Sequence, residues 1–285
     1  MATSVLVLLA ACRPQTDSEG QPVALTSIQN KGSDTIVNLA LAWAERHQTV
    51  RPEVSIAVTG GGSGTGIASL ANGTVDIANA SRAIKPEEIE TAQANGVEPM
   101  EFVIARDAIA IIVHPSNPVD HLTLQQLSDI YSGKITNWQD VGGEDRPIVA
   151  LSRETNSGTH VYFLESVVRL GDSSSKTLFS SDVLLLPSSE GIGAEVRLNP
   201  NAIGYDGLGY VTDDMKTVSV GLELGGPFWK PSADTVNNGH YPISRDLYMY
   251  TAGETTGIIK DYLDWIMQPE AQAIVLDLGF VPNVE

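Results

Sequence analysis

The sequence predicts an α/β fold. From about Thr26 onward, short β-branched runs alternate with stretches of helical period. The longest apolar stretch beyond the leader, Ala108-Ile-Ala-Ile-Ile-Val113, has the length and branching of a strand buried inside a sheet rather than of a helix. At 285 residues the chain has room for about two domains of roughly 150 residues each.

Taken in order, Ile36, Leu39, Ala40 and Trp43 fall on one helical face. Val54-Ser-Ile-Ala-Val58 alternates as a strand, and a helix follows through Ile67 and Leu70. Leu124, Leu127, Ile130 and Tyr131 give the next helical face, which Gly133 ends as a C′ residue. Leu164, Val167 and Val168 make a further helix, with Gly171 after it. Near the C-terminus a helix through Ile259, Tyr262, Leu263 and Ile266 stops around Gln268. Pro269 then opens a last helix at its N1 position, and Gly279 ends it. No internal repeat is visible.

Hydrophobic residues make up 42% of the chain, enough for ordinary cores. The 17 Lys and Arg stand against 35 Asp and Glu, a formal net charge of −18. A nucleic-acid binder would need basic stripes to displace counterions, and a protein held electrostatically to anionic lipid would need a basic face. Both classes are excluded. On its own this charge points to a neutral or cationic ligand, an expectation that the loops described next contest.

A kind of segment recurs in which glycine and small hydroxyl residues stand immediately before a helix. Gly32-Ser33-Asp34-Thr35 opens the Trp43 helix, and Gly60-Gly61-Gly62-Ser63-Gly64-Thr65-Gly66 opens the Leu70 helix. Thr155-Asn156-Ser157-Gly158-Thr159, with Arg153 just before it, opens the Leu164 helix. Helix N-termini carry unpaired N–H groups and about half a positive charge. Three of them facing one point, with hydroxyl donors and close backbone approach at glycine, would bind a tetrahedral oxyanion. Any one loop is equally an ordinary N-cap or turn; the conjunction with Arg153 is what points to an anion.

Other chemistries fail on spacing. The only Gly-Lys, Gly133-Lys134, is followed by Ile135, which rejects Walker A, and Ile67 stands where G-x-G-x-x-G requires its last glycine. There is no H-E-x-x-H and no G-x-S-x-G. His47, His114, His121, His160 and His240 are scattered, so no metal or cofactor is expected. The single cysteine, Cys12, excludes an intrachain disulfide and a cysteine-based zinc cluster. Val5 to Ala11 is an apolar run far shorter than the ~20 residues that span a bilayer. Leu9-Ala10-Ala11-Cys12 resembles a bacterial lipobox, with Arg13 to Pro22 as a polar tether; the other reading is a chance Leu-x-x-Cys.

With these residues in view, the chain resembles the phosphate-binding proteins of bacterial phosphate ABC importers, which have a type II periplasmic-binding-protein fold. Arg153-Glu-Thr-Asn-Ser157-Gly158-Thr159 is similar to that family's Arg-x-x-x-Ser-Gly-Thr loop. Thr123 to Trp138, Ile203 to Tyr210, Tyr241-Pro-Ile-Ser-Arg245 and Gly279-Phe-Val-Pro282 resemble further family segments. The resemblance implies two α/β lobes joined by two crossing strands, with the ligand in the cleft between them. It implies a leader and tether over residues 1–25, lobe one over 26–110 plus 243–285, and lobe two over 111–242. The crossings then fall near Arg106 to His114 and near Tyr241 to Tyr250.

The resemblance assigns phosphate contacts to Ser33, Asp34 and Thr35 in the first loop and Ser63 in the second. In the third it assigns Arg153, Ser157, Gly158 and Thr159. One segment departs from the family form in which Ala-Ser-Asp supplies a carboxylate for the ligand's proton, because here it reads Ala80-Ser81-Arg82. The expectation is that Asp34 supplies that carboxylate and Arg82 a second guanidinium; the alternatives are a helix cap and a surface ion pair. The implied function is capture of inorganic phosphate by hinge closure and delivery to a membrane permease. The carrier would be monomeric and extracytoplasmic, meeting the membrane only through a lipid on Cys12. The alternatives are a phosphate-ester hydrolase using Ser63 or Ser157, a signalling module reporting anion levels, and a binding protein for sulfate, molybdate or a phosphonate.

Overall fold

The computed structural model describes residues 26–283, so Cys12, the apolar run before it and the tether lie outside the described residues. In chain order, Thr26–Gly32 (β1) leads into Asp34–Val50 (α1), Val54–Thr59 (β2), Ser63–Ala71 (α2), Ile77–Ala80 (β3) and Pro86–Ala94 (α3). Next come the long strand Met100–Val113 (β4), His121–Thr123 (β5), Leu124–Tyr131 (α4), Val149–Arg153 (β6) and Gly158–Phe163 (α5). Leu184–Leu186 (β7), Ser189–Leu198 (α6), Ala202–Gly207 (β8), Lys216–Gly221 (β9), Phe228–Trp229 (β10) and Ala233–Asn237 (α7) follow. Ser244–Thr251 (β11), Gly257–Ile266 (α8), Pro269–Asp277 (α9) and Val281–Pro282 (β12) complete the set.

The main sheet runs β2-β1-β3-β11-β4-β8-β6-β7. Within it, β1 pairs in parallel with β2 and β3, and β6 pairs in parallel with β7 and β8. Strand β4 joins the two parallel groups. From Met100 to Ala108 it lies antiparallel to β11, and from Ile109 to Val113 it lies antiparallel to β8. Ile109 to Val113 are almost wholly removed from water, as the apolar run predicted.

The two larger of four apolar clusters sit on either side of that change of neighbour, which makes the α/β fold two-lobed. One gathers Ile28, Ile36, Trp43, Ile77, Leu247, Tyr262 and Phe280. The other gathers Ile111, Tyr131, Trp138, Phe163, Tyr205, Val220 and Tyr241. Helix α1 buries the face read from its spacing, and the Trp43 indole N–H donates to Ala271 O at 2.8 Å, tying α1 to α9. Such a buried aromatic contributes both apolar area and a satisfied donor.

Pro269 opens α9 at N1, and Gly279 beyond its end has φ +80°. Gly133 follows α4 at φ +82°, its N–H donating to Ile130 O. The expected helix through Leu164 differs in kind. Regular α-winding ends at Phe163, and Leu164–Val168 forms a π-helical turn. This wider turn buries the consecutive residues Val167 and Val168 together, and the Val168 carbonyl accepts from the buried Ser128 hydroxyl at 2.7 Å.

Candidate anion site

The first loop is shaped by close backbone packing. At Gly32, φ is +148° and an added Cβ would lie 2.1 Å from Asn79 O, so only glycine fits at the end of β1. Ser33 is the N-cap of α1 but makes no side-chain capping bond. Asp34 is the first helical residue rather than the cap. Its carboxylate accepts from Gly61 N–H in the second loop at 2.9 Å and from Arg153 Nη2 at 2.7 Å. The Tyr210 hydroxyl donates to the Asp34 carbonyl at 2.6 Å, fixing this turn from the other side.

The second loop enters α2 through Gly61 and Gly62, at φ +117° and +90°, and Gly62 N–H donates to Gly32 O at 2.9 Å. Ser63 is fully buried. Its Oγ accepts from Ser81 N–H at 3.0 Å and lies 3.3 Å from Ser81 Oγ. In the third loop Ser157 caps α5, its Oγ accepting from Thr159 N–H at 3.2 Å. A Cβ on Gly158 would lie 2.3 Å from Ser63 Oγ and 2.6 Å from Ser81 Oγ. The second and third loops therefore touch. Asn156 reinforces the contact, donating from Nδ2 to Gly61 O at 3.0 Å and accepting from Gly64 N–H at 3.1 Å.

Three arginines border this cluster, each paired with an acid. Arg153 is 1% exposed; besides Asp34, it donates to Ser189 Oγ at 2.8 Å and to Pro187 O at 2.9 Å. Arg82 is buried and forks onto Glu88, from Nη1 at 2.8 Å and from Nη2 at 2.7 Å. The ion pair foreseen as the alternative for Arg82 thus exists, with Arg82 buried and Glu88 partly exposed. Burial raises the Glu88 carboxyl pKa; bonds from Arg82 and the Lys85 N–H outweigh it, leaving a net lowering. Arg245 pairs with the fully buried Asp107 at 2.9 Å. Burial raises the Asp107 pKa against the opposing effect of Arg245. With each guanidinium matched by a carboxylate, the positive potential that remains comes from N–H groups, hydroxyl protons and the ends of α1 and α2.

All nine expected site residues outside the leader fall around this point. Ser33, Asp34, Thr35, Ser63, Arg153, Ser157, Gly158 and Thr159 are drawn together, and Arg82 lies behind the second loop, its Nη2 3.8 Å from where a Gly64 Cβ would sit. Thr35 and Thr159 bring their hydroxyls to 2.9 Å of each other. The structure adds Asn156, Ser81, Asp107 and Ser189 to the cluster. It also adds Asp206, whose carboxylate accepts from Ser189 at 2.9 Å and from its neighbour Gly207 N–H at 2.8 Å. Burial pushes the Asp206 carboxyl up to about 6. A signal existed for Asp107, an acid directly before the apolar run of a buried strand. Asp206 and Ser189 carried none.

A cleft of about 690 Å³ opens beside the cluster, lined by Arg82, Ile84, Tyr162, Glu165, Arg245 and Tyr248 among others. His160, next to Thr159, does not face a ligand. Its Nδ1 lies 2.9 Å from Arg153 O and 3.0 Å from Ser152 Oγ, its ring rests on Phe179, and burial lowers its pKa.

Comparison with known proteins gives a consistent set. A model described as the PBP superfamily domain matches residues 17–270. The chain is 32% identical to the phosphate-binding protein PstS of Pseudomonas aeruginosa over 273 residues, covering 90% of this chain and 83% of that one. It is 31% identical to PstS of Bacillus subtilis over 291 residues, covering 99% and 92%. Among solved structures it superimposes on a candidate phosphate ABC transporter substrate-binding protein from Clostridium perfringens with bound phosphate. That match has a TM-score of 0.81 at 35% identity and covers 91% of this chain and all of the other. An ABC-type phosphate transport receptor from Vibrio cholerae matches with a TM-score of 0.70 at 28% identity, covering 89% and 99%.

Proposed function

The chain belongs to the PstS phosphate-binding protein family within the PBP superfamily, and on that premise we propose that it captures inorganic phosphate and passes it to the permease of an ABC importer. The observation that carries this reading is the convergence of the three loops. Asp34 of the first is bonded to Gly61 of the second and Arg153 of the third, while Gly158 of the third rests against Ser63 of the second. Lobe one is taken as 26–110 plus 243–285 and lobe two as 111–242, so the Asp34–Arg153 and Gly158–Ser63 contacts cross the cleft and belong to its closed state, while the Asp34–Gly61 bond joins two loops of lobe one. Hinge closure about β4 and β11 assembles the site and expels water, which strengthens each fixed dipole.

In this reading the anion sits against the N-termini of α1 and α2 and the N–H groups that open α5. Ser33, Thr35, Ser63, Ser157 and Thr159 supply hydroxyl donors, Gly158 allows close backbone approach, and Arg153 supplies a buried guanidinium. Asp34 accepts the proton that phosphate keeps near neutral pH. Each of its oxygens already accepts one protein hydrogen bond and keeps capacity for another. Sulfate, which has no such proton, meets a carboxylate and an unpaired acceptor; sites of this kind reject the analogue by up to ~10⁴–10⁵. Arg82 adds positive potential behind the second loop, held in place by Glu88. No bond is made or broken, and no cofactor takes part. The carrier works outside the cytoplasm as a monomer, kept near its permease by a lipid on Cys12.

Hydrolysis of phosphate esters is disfavoured by the hydrogen bonds of the two candidate nucleophiles. Ser63 bonds to Ser81, and Ser157 accepts from Thr159 N–H; among the described residues neither is bonded to a histidine or carboxylate. Calorimetric titration of the full chain with phosphate, sulfate and molybdate tests the proposal. One phosphate per chain is expected, with sulfate at least ~100-fold weaker and no phosphatase turnover in the same sample. Preference for sulfate or molybdate, or measurable ester hydrolysis, would replace it.

A further inference from the structure

The Arg245 guanidinium stands where β11 meets both loop clusters. Its Nη2 donates to Asp107 Oδ2 at 2.9 Å and lies 3.0 Å from Thr159 Oγ1 and 3.3 Å from Thr35 Oγ1. Arg245 is 6% exposed, and its Nη1 is buried with no hydrogen-bond partner among the described residues. Asp107 is held in turn, because Leu208 N–H donates to its other oxygen at 3.1 Å. On the lobe assignment above, Thr35 belongs to lobe one and Thr159 to lobe two, so one nitrogen on the return strand touches a hydroxyl from each.

We propose that Arg245 is a positioning residue that sets the hydrogen-bond polarity of Thr35 and Thr159, turning both hydroxyls into donors toward a fully ionised ligand oxygen. A guanidinium can only donate, whereas each threonine hydroxyl has one proton and two lone pairs. Nη2 has two protons; with one on Asp107, the two hydroxyl oxygens share the other, more closely at Thr159, and both hydroxyl protons point elsewhere. One of those protons is free to close the 2.9 Å contact between the two hydroxyls. When an oxyanion enters, both turn to it, and the shared nitrogen ties the two lobes at the point of closure. Asp107 holds the fork in place and cancels its charge, so the effect on the ligand runs through the hydroxyls rather than through a free cation.

This inference rests on the phosphate reading of the site, and a double-mutant cycle separates the two. The paired exchange D107N with R245Q removes both charges together and leaves no uncompensated buried acid. In the native background it is expected to weaken phosphate binding by roughly 10- to 100-fold, the loss that goes with charge-assisted hydrogen bonds. In a Thr159→Val background the same exchange is expected to cost at least ~3-fold less, because one of the two hydroxyls it orients is gone. Should the neutral pair fail to fold, Arg245→Lys, which keeps the charge beside Asp107 and removes the fork, is carried through the same cycle. Equal losses in the two backgrounds, or unchanged phosphate affinity on losing Arg245, would overturn the positioning role while leaving the phosphate site standing. Absence of phosphate binding by the native chain would instead remove the site itself, and this role with it.

Discussion

Asp34 and Arg153 lie 119 positions apart in the chain and meet at 2.7 Å, with the arginine 1% exposed. The pair locks the start of α1 to the end of β6, and the same carboxylate also holds Gly61 N–H. A single acid thus reaches all three loops, which makes it the residue whose loss is most informative.

Asp34→Asn keeps the shape of that side chain and removes its charge. An amide can still accept from Gly61, but its NH₂ then faces the Arg153 donor, and the ligand proton loses its acceptor. The expected result is weaker phosphate binding together with a fall of at least ~100-fold in the phosphate-to-sulfate affinity ratio, read by calorimetry at pH 7. A variant that binds phosphate normally and still excludes sulfate would show that discrimination lies elsewhere.

Gly158→Ala tests closure. The added methyl would lie 2.3 Å from Ser63 Oγ and 2.6 Å from Ser81 Oγ, where the third loop meets the second. An overpacked contact costs about 1–3 kcal/mol. If hinge closure makes this contact, as proposed, phosphate affinity is expected to fall roughly 5- to 150-fold with little change in the thermal midpoint of the ligand-free protein. A matching loss in that midpoint would mean the residue matters to folding instead.

The pairing of Arg82 with Glu88 gives a third prediction. Glutamine at position 88 can still bond the Lys85 N–H as the third residue of α3, so the helix start is kept. Glu88→Gln removes a negative charge beside the second loop and is expected to raise phosphate affinity about 2- to 5-fold, while Arg82→Met lowers it at least ~10-fold. Titrations of the two variants at equal ionic strength give the comparison. No change in either would remove Arg82 from the site.

Much of this could be read from the chain. The fixed-period stretches found α1, α4 and α8, because amphipathic helices advertise the face they bury, and Pro269 and Gly279 marked the ends of α9. Val54 to Val58 and Ala108 to Val113 were equally plain as strands. The three loops were legible because the N-terminus of a helix needs small, polar and glycine residues in local order. What stayed hidden is what depends on non-local geometry. The π-turn at Leu164 follows from packing Val167 and Val168 together, and Asp206 reaches Arg153 only through Ser189, 17 residues before it in sequence. The bonding of Arg82 to Glu88 needed the turn at Lys85 to bring them together. The net charge of −18 misled in the same way. It describes the surface, whereas each guanidinium at the site already has its own carboxylate.

Asp206 supplies a pH prediction. Burial raises its carboxyl from the ordinary 3.8 to about 6, so the folded state favours the protonated form. That preference stabilises the fold below about pH 4 and is lost as pH rises through 6. The contribution is about 3 kcal/mol across that window. Urea unfolding in phosphate-free buffer should therefore show the stability of the native chain relative to Asp206→Asn falling by about 2 kcal/mol between pH 4 and pH 6, with the rest of the change outside that interval. A difference that is flat with pH would place the Asp206 titration outside this range.

The most direct test is a crystal structure of the full chain grown in phosphate. The account predicts one tetrahedral anion within hydrogen-bonding distance of Thr35, Ser63 and the Ser157–Thr159 turn, with Asp34 on one of its oxygens. An anion seated only in the 690 Å³ cleft between Arg82 and Tyr162, or a closed cluster with no anion among the three loops, would contradict it.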